Sequence, residues 1–149
     1  RVLMSGLDTE RLVLSGGPIG LMQAALDLTL PYVRERKQFD VPIGSFQALQ
    51  HRMADMLLHL EQARSMSYLA AMHCADENPT ARRRTLSAAK VTVGQACRFI
   101  AQNAVQLHGG MGMTDELNVG HFFKRVTMIE SQFGNTDWHL RRYTELSAT

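Results

Sequence analysis

The sequence predicts an all-α fold, an up-and-down four-helix bundle with a short extra carboxy-terminal helix. Three observations predict it. Apolar residues recur at three- and four-residue steps over four long stretches. The connections between them are short and built from Gly, Pro and Asn, which favours antiparallel neighbours. No convincing strand, internal repeat or low-complexity tract is present.

The first helix is expected over residues 8–36. Asp8 or Thr9 can cap it, and Ile19, Met22, Leu26, Thr29 and Val33 form its apolar stripe. Gly16-Gly17-Pro18 interrupts the pattern and can kink it, and Pro31 is a second blemish, so two shorter helices are the alternative. A loop is expected over residues 38–44, after which Ser45 caps the second helix. Its seam is Phe46, Leu49, Met53, Met56, Leu60, Ala63 and Ala70. That helix ends near Asn78-Pro79, because the residue before proline resists helix.

Thr80 is expected to cap the third helix, whose stripe is Leu86, Ala89, Val93, Ala96, Ile100, Ala104 and Leu107. Its alanines suggest close helix approach, and Gly109-Gly110 stops it. A fourth helix is expected over residues 116–131, with Leu117, Val119, Phe122, Phe123, Val126 and Ile129. After Gly134-Asn135 a last short helix carries Trp138, Leu140, Arg141 and Tyr143.

Composition narrows the function classes. A chain of 149 residues is one domain's worth and can bury a sizeable core. Sixteen basic residues are interspersed with fourteen acidic ones, for a formal net charge of +2. The densest basic run, Arg82-Arg83-Arg84, has no interleaved aromatics, which argues against a nucleic-acid surface. No apolar stretch approaches the ~18 residues of a membrane span, and no secretory signal is visible. Cys74 and Cys97 read as buried free thiols, which points to a cytoplasmic protein. The chain opens at Arg1 inside patterned sequence, as an excised domain or fragment would.

Bare chemistry gives little more. The Glu-x-x-His pairs of di-iron bundles are absent, and Asp55 with His59 is a lone pair four residues apart, so no metal site is expected. Gly109-Gly110-Met111-Gly112 follows a helix rather than a strand, unlike a phosphate loop. It is either a plain helix stop or a place where a ligand approaches the backbone.

Two segments carry a resemblance. Arg36-Lys37-Gln38-Phe39 with Pro42-Ile43-Gly44-Ser45-Phe46-Gln47 resembles the R-x-Q-F-G-x-P-I-x-x-F-Q segment of acyl-CoA dehydrogenases. Gln106-Leu107-His108-Gly109-Gly110-Met111-Gly112 resembles that family's Q-x-x-G-G-x-G block. The opening, residues 4–14, is similar to the isovaleryl branch. The remainder is similar to small subunits of bacterial heteromeric members.

The resemblance implies the carboxy-terminal helical bundle of a three-domain FAD enzyme that self-associates as a dimer or tetramer. The amino-terminal and β domains would be missing from this chain. It implies α,β-dehydrogenation of an acyl-CoA, with an electron-transferring flavoprotein as partner. Arg36, with Gln38, Phe39, Gln47, Gln106, Gly109 and Gly110, would contact a neighbouring subunit's FAD. Thr136 and Trp138 would lie by the chain's own flavin. Asp8, Arg11, Gly134 and Asn135 match substrate-contacting positions. The family's late carboxylate base is replaced here by Gly134, whereas Glu10 matches the alternative base position of the isovaleryl branch.

Departures at Asn135, Trp138 and Gly134 leave a non-catalytic assembly subunit as the alternative, and an oxygen-using offshoot as a third. Residues 1–149 by themselves are expected to fold, self-associate, and bind FAD weakly or not at all.

Overall fold

The computed structural model describes residues 2–148, with side chains described from residue 16 onward. The described residues form five α-helices: α1 (Val2–Glu35), α2 (Gln47–His73), α3 (Pro79–His108), α4 (Val119–Ser131) and α5 (Thr136–Ser147). The expected four long helices and short terminal helix are all present.

Several boundaries differ from expectation. α1 begins at Val2, so Asp8 and Thr9 lie within it rather than capping it. It continues through both Pro18 and Pro31, so the two-helix alternative is not realised. Each proline removes one backbone donor, but packing of Met22, Ala25 and Val33 into the core holds the helix across both sites.

The loop after α1 contains a small antiparallel hairpin, β1 (Lys37–Gln38) and β2 (Val41–Pro42), pairing Lys37 with Pro42 and Gln38 with Val41. Its two-residue turn, Phe39-Asp40, has φ of 55° and 64°. Positive φ at both positions is the turn geometry that matches strand twist in tight hairpins. No apolar alternation announces so short a ladder.

Ser45 does not cap α2. It lies in a 3-10 turn (Ile43–Ser45), where its hydroxyl donates to the Pro42 carbonyl at 2.7 Å. Phe46 takes the cap position with extended backbone and no side-chain cap bond. α3 is capped by Asn78 rather than Thr80. The Asn78 Oδ1 accepts from the Thr80 and Ala81 amides at 2.9 and 3.2 Å, and Pro79 takes the first helical position, where no amide donor is needed. α4 starts three residues later than expected, at Val119.

α3 is the central helix, packed against each of the other four. All seven residues of its expected stripe are buried. Its alanines at 89, 96 and 104 leave room for the neighbours to come close. Met22 and Val33 of α1, Met56, Leu60 and Ala63 of α2, and Val119 and Val126 of α4 complete the main cluster. A smaller cluster, Ala70, Leu86 and Ala89, closes the far end.

On α5 the expected apolar set is mostly outside: Trp138 and Leu140 are 41% and 51% exposed. The buried residue is His139, whose ring nitrogens face the Ser87 hydroxyl at 3.3 Å and the Phe133 carbonyl at 3.1 Å. Two polar partners let an imidazole fill a core position that the apolar pattern does not reveal.

Candidate functional site

Two sequence segments meet at one end of the bundle. The end of α1 and the hairpin bring Arg36 and Gln38. The end of α3 and the 3-10 turn after it (Gly109–Met113) bring Gln106, Gly109 and Gly110. Together they line a surface cleft of about 450 Å³. Five of the seven residues expected to contact a neighbour's FAD are therefore in one place, although Arg36 and Gln106 are seventy positions apart in the chain.

The backbone explains how. The Arg36 amide donates to the Tyr32 carbonyl, and the Arg36 carbonyl accepts from the Ile43 amide, both at 2.8 Å. The backbone is pinned on both sides, and the guanidinium remains exposed. On the facing wall Gly109 has φ 61° and ψ −141°, a conformation that side-chain-bearing residues avoid. A Cβ at Gly109 or Gly110 would meet nothing within 4 Å, so both face open space. Gly112 is needed for another reason: a Cβ there would lie 2.7 Å from the Val105 carbonyl oxygen.

Phe39 stands at the hairpin tip, 88% exposed, its ring edge-on to Phe46 at 6.2 Å. Gln47 opens α2, exposed and outside the cleft lining. Two further cleft residues were not singled out from sequence. The Tyr32 ring stacks on the His108 ring at 4.3 Å, and its hydroxyl donates to the His108 carbonyl at 3.3 Å. The signal was available: Tyr32 is one helical turn before Arg36, and His108 lies inside the glycine motif.

The second group lies at the α4–α5 corner. Asn135 caps α5, its side-chain oxygen accepting from the Trp138 amide at 2.9 Å. Gly134 has φ 103°, and a Cβ there would fall 2.6 Å from the Trp138 ring. Thr136 donates from its amide at 3.1 Å and its hydroxyl at 2.9 Å to Glu130, which also meets Arg98 at 3.2 Å. Burial raises the Glu130 pKa, but the Thr136 hydrogen bonds, with Arg98 and Lys90 nearby, together hold it below the usual carboxylate range. Trp138 is edge-on to His139 and has the Arg142 guanidinium 5.0 Å from its ring centre.

The two groups are well separated. Thr136 packs on Gly94, fifteen residues along α3 from Gly109, which is about 22 Å of helix. They cannot both touch one diphosphate. Asp8, Glu10 and Arg11 lie on α1 outside the residues whose side chains are described.

Among the described residues, no three His, Cys, Asp or Glu side chains come together as metal ligands, and His59 packs its ring on Phe99. No helix among them is long and apolar enough to cross a membrane. The cleft suits a dinucleotide phosphate: one exposed guanidinium, two carboxamides, bare glycine backbone, and no carboxylate among the described residues that line it.

The family model described as "Acyl-CoA dehydrogenase, C-terminal domain" matches residues 1–145. A mitochondrial isovaleryl-CoA dehydrogenase from Oryza sativa subsp. japonica is 40% identical over 136 residues, covering 91% of this chain and 33% of the relative. Butyryl-CoA dehydrogenase from Megasphaera elsdenii superposes with a TM-score of 0.90 at 25% identity, over 98% of this chain and 38% of that one. A chain of the ChsE4–ChsE5 complex from Mycobacterium tuberculosis superposes with a TM-score of 0.89 at 28% identity, over 95% and 38%. The chain thus spans about a third of the length of the curated relatives it matches. It belongs to the acyl-CoA dehydrogenase family, as that family's carboxy-terminal helical domain.

Proposed function

We propose that this chain is the carboxy-terminal part of a FAD-dependent acyl-CoA dehydrogenase and supplies flavin contacts and a catalytic base. The carrying observation is the convergence of Arg36 and Gln38 with Gln106, Gly109 and Gly110 in one cleft that has no carboxylate among its described lining residues. The guanidinium fork matches diphosphate oxygens, and the bare glycine backbone admits them closely. The roughly 22 Å between the cleft and Thr136 supports a site shared between subunits, the cleft serving one flavin and the Thr136–Trp138 corner another. FAD, when bound, supplies the hydride acceptor for α,β-dehydrogenation of the thioester.

The chain's own residues have three tasks: to hold the diphosphate, to contact the substrate through Asp8 and Arg11, and to take the α-proton. Gly134 offers no carboxylate and no room for one, which supports Glu10, at the position matching the isovaleryl-branch base, as the group that takes the proton. The likeness to isovaleryl-CoA dehydrogenases favours a short branched acyl-CoA.

The test is FAD titration followed in the visible band, with the chain by itself and with its amino-terminal and β domains supplied in trans. The expected result is tight binding only in the mixture, and bleaching by isovaleryl-CoA. Arg36→Gln should weaken FAD binding, whereas Glu10→Gln should keep FAD and lose the bleaching. A flavin-loaded mixture that no acyl-CoA bleaches would support the second reading, an assembly subunit. That reading is favoured by the indole of Trp138 pressed over Gly134. Failure to load FAD in either format would sink both.

A further inference from the structure

The His108 ring is 5% exposed and forms part of the cleft wall. Its Nδ1 lies 2.8 Å from the Ala104 carbonyl oxygen. A carbonyl only accepts, so Nδ1 carries a proton in either charge state. Tyr32 stacked on the ring restrains its orientation. Nε2 has no partner among the described residues. In the neutral ring Nε2 is therefore a bare lone pair, which repels an anion. In the imidazolium it is an N–H donor, which attracts one.

The charged and titratable residues facing the cleft are few. α1 brings Tyr32, and Arg36 follows directly after it. The hairpin and α3 bring only the neutral Gln38 and Gln106, the glycine turn brings none, and no charged residue of α2 or α4 lines it. With no carboxylate among the described lining residues, the counter-charge for a protonated His108 has to come from the ligand.

We infer that His108 is a second anion-binding residue of the Arg36 cleft, taking up a proton as the diphosphate of a dinucleotide binds. This rests on the dinucleotide reading of the cleft proposed above. Tyr32 is the positioning residue, acting through the ring it stacks on. Proton uptake and anion binding are then linked: whatever favours one favours the other by the same factor.

The probe is ADP-ribose, whose diphosphate diester keeps a constant charge between about pH 5.5 and 8, the range in which an imidazole titrates. Binding at millimolar concentration is followed by NMR on the 149-residue chain. The expected result is an affinity that falls as pH rises, by about tenfold per pH unit at the steepest, the limit for one linked proton. The His108 ring proton should titrate at higher pH when ADP-ribose is present. His108→Phe keeps a ring for Tyr32 to stack on and should bind weakly and without pH dependence. Circular dichroism checks that this variant is folded.

Arg36-dependent binding that is flat with pH, with an unmoved His108 titration in the wild-type chain, overturns the inference and leaves the flavin reading standing. No response to ADP-ribose at any pH also overturns it. The flavin reading is then judged separately, by the FAD titration with the other domains in trans.

Discussion

Glu130 shows how one side chain joins two helices. From α4 it accepts both the amide and the hydroxyl of Thr136 at the start of α5, and it meets Arg98 on α3. Its pKa is lowered from 4.5 despite burial. A carboxylate depressed in the folded state stabilises at pH values above its unfolded pKa, and that contribution is lost as pH falls through the folded value. Urea melts between pH 6 and 3 should therefore show stability declining on acidification. Glu130→Gln should flatten that decline and cost about 1–3 kcal/mol at neutral pH; an unchanged profile would remove Glu130 from this role. The cysteines make a second contrast. Burial pushes the Cys97 thiol up to about 12, whereas Cys74 is half-buried. The thiolate is the reactive species, so a colourimetric thiol reagent at pH 8 should modify Cys74 in the native chain and reach Cys97 only after denaturation.

At the scale of elements, α3 organises the bundle, packing against each of the other four helices. Its seven-residue stripe was legible in the sequence because every member faces a neighbour, so the period is uninterrupted. Its cap was not. Thr80 and Asn78 are both capping residue types, and the choice fell on Asn78 because Pro79 fits the first helical position without needing a donor. Asn78→Ala should destabilise the chain by about 1 kcal/mol, and Thr80→Ala should cost much less; thermal melts of both variants check the order. α5 misled the pattern because His139, satisfied by Ser87 and Phe133, fills the core position while Trp138 turns outward to Arg142. The hairpin was illegible for a different reason. Two residues per strand are too few for any alternation, and the positive φ values fall on Phe39 and Asp40 rather than on glycine.

At the scale of the whole molecule, α2 leaves an unusual face outside. Leu57, Leu58, Tyr68, Leu69 and Met72 are 53%, 60%, 66%, 39% and 78% exposed. Leu57 and Tyr68 are eleven residues apart, as are Leu58 and Leu69, and eleven residues is about three helical turns, so each pair lies on one side of the helix. Such a face fits an interface, and it is the surface through which self-association is predicted to run. Replacing Leu58 and Tyr68 together with Glu should shift sedimentation toward the monomer while leaving the helical circular dichroism intact. Unchanged association would place the contact elsewhere.

The sequence by itself determined the helical class, the order of the helices and the family, because periodicity and short motifs are local properties of the chain. It also named half of the cleft lining, since Arg36, Gln38, Gln106, Gly109 and Gly110 sit inside those motifs. Only the tertiary structure decided that these residues share one cleft while Thr136 and Trp138 lie far along α3, because distance between segments is a property of packing. Packing likewise decided that Tyr32, beside one motif, and His108, inside the other, stack on one another, because a contact across seventy-six positions leaves no periodic trace. It also committed Asn135 and Thr136 to holding the α5 corner, since a polar side chain at a helix start is drawn first to the unpaired donors and carboxylates beside it.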